Sequence, residues 1–103
     1  MGIKTVEGSK TLSRKKDKIT EPGNYTVILL NDDYTTRDFV VEILKLVFHK
    51  NHEEATRIML NVHRKGRGAV GIYTYDIALT KARQVHDMAD RCDFPLRCVV
   101  EEV

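Results

Sequence analysis

Tryptophan is missing from this 103-residue chain, and cysteine and proline appear only twice each. Two cysteines, Cys92 and Cys98, make neither a disulfide framework nor a Cys-x-x-Cys site. Both read as small apolar fillers, one on a helix and one on a strand, as suits a reducing compartment. No apolar run approaches the roughly 20 residues that span a bilayer. The start Met-Gly is followed by Val6 where a myristoylation signal needs Ser or Thr, and no apolar signal core follows. The expected location is therefore the cytoplasm. A net charge of +2 is too small to argue for nucleic acid. The length allows one domain, whose core is large enough for a shallow pocket but poorly suited to a deep polar cleft.

Residues 1 to 24 differ from the rest. They carry Lys4, Lys10, Arg14, Lys15, Lys16 and Lys18, hold few large apolar groups, and close on Glu21-Pro22-Gly23-Asn24. Such a composition buries too little surface to offset chain entropy, which predicts a flexible N-terminal extension. No aromatics are interleaved with its charges, so it does not read as a nucleic-acid arm.

From Tyr25 the pattern tightens. Tyr25 to Leu30 is apolar and β-branched, and Asn31-Asp32-Asp33 ends it with turn chemistry. Phe39, Val40, Ile43, Leu44, Val47 and Phe48 recur at helical spacing, with Thr35 or Thr36 as N-cap. A second helix starts at Asn51 or His52, buries Ala55, Ile58, Met59 and Val62, and ends at Gly66. Gly68 to Tyr73 reads as a strand. Thr74 then caps a third helix with the stripe Ala78, Ala82, Val85, Ala89 and Cys92. Pro95 stops it, and Leu96 to Glu101 supplies a last strand. The expected fold is α+β, a two-layer sandwich of a three-stranded antiparallel sheet and three helices in the order β-α-α-β-α-β.

Chemistry concentrates in two places. Asn31, Asp32 and Asp33 sit where a strand gives way to a helix. They either cap that helix through an Asx turn or form a cation-receiving site, since carboxylates and an amide oxygen accept hydrogen bonds from an ammonium group. His63 rides the edge of the second helix's apolar stripe. It is either a packing residue or a further acceptor through a neutral ring nitrogen. His49 and His52 lack partners for a zinc site, and no cofactor is expected. Lys65-Gly66-Arg67-Gly68 lacks phosphate-loop spacing. A hydrolase using His63 and Asp33 lacks a nucleophile, so the chain does not read as an enzyme.

Taken together, these blocks resemble the ClpS family. The likeness runs from Tyr25-Thr-Val-Ile-Leu-Leu-Asn-Asp-Asp-Tyr-Thr35 with Phe39-Val40, through Met59-Leu-Asn-Val62-His63 and Gly66. It continues with Gly71 to Thr74, Thr80-Lys81-Ala82 and Pro95-Leu96, covering residues 25 to 103. The resemblance implies an adaptor that binds proteins beginning with Leu, Phe, Tyr or Trp. Such N-degron substrates are handed to a ClpA-type, or ClpC-type, AAA+ unfoldase. By matching position, Asn31, Asp33 and His63 would hold the α-amino group, and Asp32 would add negative potential. Thr35, Val40, Met59, Val62 and Leu96 would line the pocket for the first side chain. Asp76 and Lys81 would face the unfoldase, and residues 1 to 24 would be the extension threaded toward its pore. One position departs: Arg37 stands where the family usually has a Met gate, which predicts narrower or altered selectivity. Its stem could cover the pocket while its guanidinium stays in water, or pairs with Asp38 or an acidic side chain of the substrate, and its charge would weaken the negative field of the amine-binding cluster. A monomer is expected, without nucleic-acid or membrane partners. The other binding reading is a docking module like the C-terminal domain of the ribosomal stalk protein, which resembles ClpS in fold.

Overall fold

The computed structural model describes residues 23–103. The extension expected over residues 1 to 24 falls, but for its last two positions, outside the described residues. Six elements follow: β1 (Tyr25–Leu30), α1 (Arg37–Leu46), α2 (His52–Lys65), β2 (Arg67–Tyr73), α3 (Tyr75–Arg91) and β3 (Arg97–Glu102). The sheet order is β2-β1-β3, and both neighbours pair antiparallel to β1. This is the expected order, fold class and strand number.

Alternation along β1 sends Val27 and Leu29 into the main core, where neither keeps any exposed surface. There they meet Ile43 and Leu44 of α1, Ile58 and Val62 of α2, and Ala78, Val85 and Ala89 of α3. Each large aliphatic side chain so buried contributes roughly 1.5–3 kcal/mol. Ile28, also buried, lies on the opposite side of the strand beside its cross-strand partners Ala69 and Val99. The register against β2 slips between Val27 and Ile28: Val27 opposes Gly71 and Ile28 opposes Ala69, leaving Val70 as the extra residue of a bulge.

Local chemistry sets most of the boundaries. The Thr36 hydroxyl accepts from Phe39 N at 3.1 Å and opens α1, and Asn51 Oδ1 accepts from Glu54 N at 2.8 Å and opens α2. Gly66 closes α2 at φ 87, a left-handed conformation that suits glycine, and its N–H donates to Val62 O. His49, between α1 and α2, is also left-handed at φ 57, which breaks the helical pattern there.

Three details differ from the sequence reading. Thr74 occupies the N-cap of α3, but its side chain makes no capping hydrogen bond. The second and third strands begin at Arg67 and Arg97 rather than at Gly68 and Leu96. Cys92 is exposed rather than part of the α3 core stripe. It is the C-cap of that helix, with φ −101 and ψ 5, so the helical spacing that buries Ala89 no longer applies to it. Cys98 is buried as expected, and burial pushes its thiol up to about 12, which keeps it a protonated, inert filler.

Candidate functional site

The end of β1, the turn after it, the start of α1 and the last turns of α2 meet around one cavity of about 410 Å³. That is within the range of small-ligand pockets and large enough for one apolar side chain. Two backbone features bring the elements together. Asn31 N donates to Gly66 O at 2.9 Å, tying the end of β1 to the end of α2. Asp32 then shapes the turn: its Oδ1 accepts from Tyr34 N at 2.8 Å and Thr35 N at 2.7 Å, and its Oδ2 from the Thr35 hydroxyl at 2.7 Å. Partial burial works to raise the Asp32 pKa, but these three hydrogen bonds outweigh it and hold the carboxyl below its ordinary value. The turn reading of the Asx cluster is therefore met by Asp32. Asp32 makes the turn, while Asn31 and Asp33 remain exposed at the cavity.

The cavity brings together nine of the ten positions that the family resemblance assigned to amine and side-chain binding. Asn31, Asp32, Asp33, Thr35, Arg37, Val40, Met59, Val62 and His63 all line it. Val40, Met59 and Val62 are buried and make its apolar wall. Leu96 is not among its lining residues. It is 3% exposed, packs in the main core, and borders a separate depression with His86, Phe94 and Pro95. His63 is exposed, so the packing reading of that residue does not hold.

Sequence reasoning missed three contributors. Thr36 and Tyr34 also line the cavity, and Tyr34 is 76% exposed. Gly68 supports the wall from behind, because a β-carbon there would press on Val62. A glycine inside a strand was the available signal for such a close approach.

Arg37 differs most from expectation. Its guanidinium, though exposed, pairs with His63 rather than with Asp38: Nη2 lies 2.6 Å from His63 Nε2. A guanidinium can only donate, so His63 Nε2 is the acceptor and the ring is neutral with its proton on Nδ1. Asp76, which does not line the cavity, is exposed in the first turn of α3. Lys81 is partly buried, and its Nζ donates to Val47 O at 2.8 Å. Among the described residues, no group of three or more His, Cys, Asp or Glu side chains could hold a metal ion.

Comparison with known proteins agrees with this arrangement. The family model described as "ATP-dependent Clp protease adaptor protein ClpS" matches residues 20–99. The chain belongs to the ClpS family. The ATP-dependent Clp protease adapter protein ClpS of Syntrophus aciditrophicus is 61% identical over 88 residues, 85% of this chain and 82% of the relative. The ClpS of Acetivibrio thermocellus is 58% identical over 94 residues, 89% of this chain and 95% of the relative. Among solved structures, ClpS2 of Agrobacterium tumefaciens bound to L-phenylalaninamide superposes with a TM-score of 0.79 at 41% identity. That match covers 81% of this chain and 100% of the other. Membership of the ClpS family decides against the stalk-type docking module.

Proposed function

We infer that this ClpS chain is an N-degron adaptor. It binds the free α-amino group and the hydrophobic first residue (Leu, Phe, Tyr or Trp) of a substrate and delivers it to a ClpA-type AAA+ unfoldase. The observation that carries the reading is one cavity lined by two unlike sets of groups: the polar Asn31, Asp33 and His63, and the apolar Val40, Met59 and Val62. An α-ammonium has a pKa near 8, so at neutral pH it is mostly charged and offers three donors. Asn31 Oδ1, an Asp33 carboxylate oxygen and His63 Nε2 supply three acceptors. An internal peptide N–H offers one donor and no charge, so the set selects a chain terminus. The apolar wall adds roughly 1.5–3 kcal/mol for a Leu or Phe side chain before ordering costs. Phenylalaninamide, held by the Agrobacterium tumefaciens relative, combines a free amine with an aromatic side chain.

In this reading Asp32 acts through the turn it shapes and through its charge. Leu96 supports the apolar wall from the core. Asp76 and Lys81 lie on the surface offered to the unfoldase, residues 1 to 24 form the extension presented to its pore, and residues 25 to 103 form the adaptor core. The adaptor works as a monomer in the cytoplasm. No described helix is long and apolar enough to cross a membrane.

Degradation of a reporter that begins with Phe tests the whole chain of events. Reconstituted with a ClpA-type unfoldase and its peptidase, the adaptor should accelerate loss of that reporter and not of one beginning with Met-Lys. Equal rates with and without the adaptor would refute delivery.

A further inference from the structure

The amine site already contains a cation. Arg37 is the first residue of α1 and His63 lies in the last turns of α2, 26 positions later, yet Nη2 and Nε2 are 2.6 Å apart. An imidazole in this tautomer has one lone pair on Nε2, and one donor fills it. The guanidinium and an incoming α-ammonium therefore compete for the same acceptor.

Both partners of this contact are exposed, so the guanidinium has a path to water. Nor does another described partner hold it: the ion pairs among the described residues involve Arg57, Arg67, Arg91 and Lys45, not Arg37. The neighbouring Asp32 carboxylate already accepts three hydrogen bonds from its own turn. Once displaced, Arg37 is thus a cation at the rim without an ion pair to any described residue. It remains near the bound amine because its stem is anchored where α1 begins. The second residue of a bound peptide leaves the cavity close by, its Cα about 3.8 Å from that of the first residue.

We propose that Arg37 is a specificity-determining residue: its guanidinium occupies the His63 acceptor until a substrate amine displaces it, and then favours substrates with an acidic second residue. This rests on the amine-binding reading of His63. The occupied acceptor lowers affinity for every amine. Asp or Glu at the second position recovers part of that loss by giving the guanidinium a new partner, whereas Lys or Arg there adds repulsion. Exposed ion pairs are weak and salt-screened, so each step from Lys to Ala to Glu should be about two- to fivefold.

The test measures dissociation constants of the full chain and of Arg37→Met for four peptides. Three begin with free Phe followed by Glu, Ala or Lys, and the fourth is the Phe-Ala peptide N-acetylated. The proposal expects the order Glu, Ala, Lys for the natural chain, compressed at high salt. It also expects a gain of about three- to tenfold for Phe-Ala in Arg37→Met, with the Glu preference lost. If both proteins bind free-amine peptides and reject the acetylated one, but Arg37→Met changes neither the Phe-Ala affinity nor the Glu-to-Lys ratio, the proposal is overturned and amine binding stands. If neither protein distinguishes the free from the acetylated peptide, the amine-binding reading fails and the proposal falls with it.

Discussion

Gly68 sits so close beneath Val62 that a β-carbon on it would lie 2.7 Å from Val62 Cγ2 and 3.3 Å from Val62 N. The strand and the helix can approach this far only because that side chain is a hydrogen. Since Val62 also lines the cavity, the shape of the cavity wall depends on a residue that does not itself line it.

Gly68→Ala should therefore push Val62 and cost roughly 1–3 kcal/mol, in the manner of an overpacked core. Thermal or denaturant unfolding measures the loss. Binding of peptides starting with Trp should weaken more than binding of those starting with Leu. Unfolding and binding both unchanged would mean that α2 and β2 separate freely.

Lys81 is held against the end of α1. Its ammonium donates to the Val47 carbonyl at 2.8 Å and lies 5.9 Å from the Phe48 ring centre and 6.0 Å from that of Tyr73. A cation at a helix C-terminus and over aromatic faces is favourable on both counts. Lys81→Met keeps most of the stem and should lower stability by about 1 kcal/mol. Because the same residue is proposed to face the unfoldase, delivery should fall as well while peptide binding holds. Stability equal to that of the natural chain would remove the helix-end role.

Asp32 links the turn to pH. Its carboxyl has a lower pKa folded than unfolded, because the Thr35 hydroxyl and the Thr35 and Tyr34 amides bind the ionised form. Its contribution is fully present above the ordinary value of 3.8 and is lost as pH falls through the lowered folded value. Asp32→Ala should cost about 0.5–2 kcal/mol at neutral pH, as loss of a cap does, and should flatten the acid end of the stability curve. An unaltered acid limb in the variant would contradict this assignment.

His63 is tested through the acceptor it offers. His63→Gln retains an acceptor oxygen and should keep most of the affinity for Phe-first peptides, whereas His63→Leu removes the acceptor and should cost about 1–3 kcal/mol of binding, read by titration of a labelled peptide. Equal affinity in His63→Leu and the natural chain would remove His63 from the acceptor set.

Most of the scaffold was legible because its signals are local. Six apolar and β-branched residues followed by an Asx turn mark Tyr25 to Leu30 as a strand, the observed span of β1. Thr36, Asn51 and Gly66 mark helix ends through bonds spanning three or four residues. What escaped was set by the fold as a whole. Spacing alone placed Cys92 in the α3 stripe, and only the helix's actual end exposes it. Nothing near Arg37 in the chain announces His63, and nothing near Lys81 announces Val47. The cavity was half visible: the family blocks indicated its rim, its apolar wall and a cation at Arg37, but not the glycine behind Val62 or the contact of that guanidinium with His63.

The central claim is that the cavity recognises a free chain terminus together with an apolar first side chain. Fluorescence anisotropy on a labelled peptide beginning with Phe, measured with its amine free and with its amine acetylated, tests it most directly. Acetylation removes the charge and most of the donors, leaving the acceptors of Asn31, Asp33 and His63 short of partners, at about 1–3 kcal/mol for each unpaired group. The account predicts binding of the free peptide and at least a tenfold loss on acetylation, with a similar loss when Phe is replaced by Lys. Equal affinity for the free and acetylated peptides would contradict it.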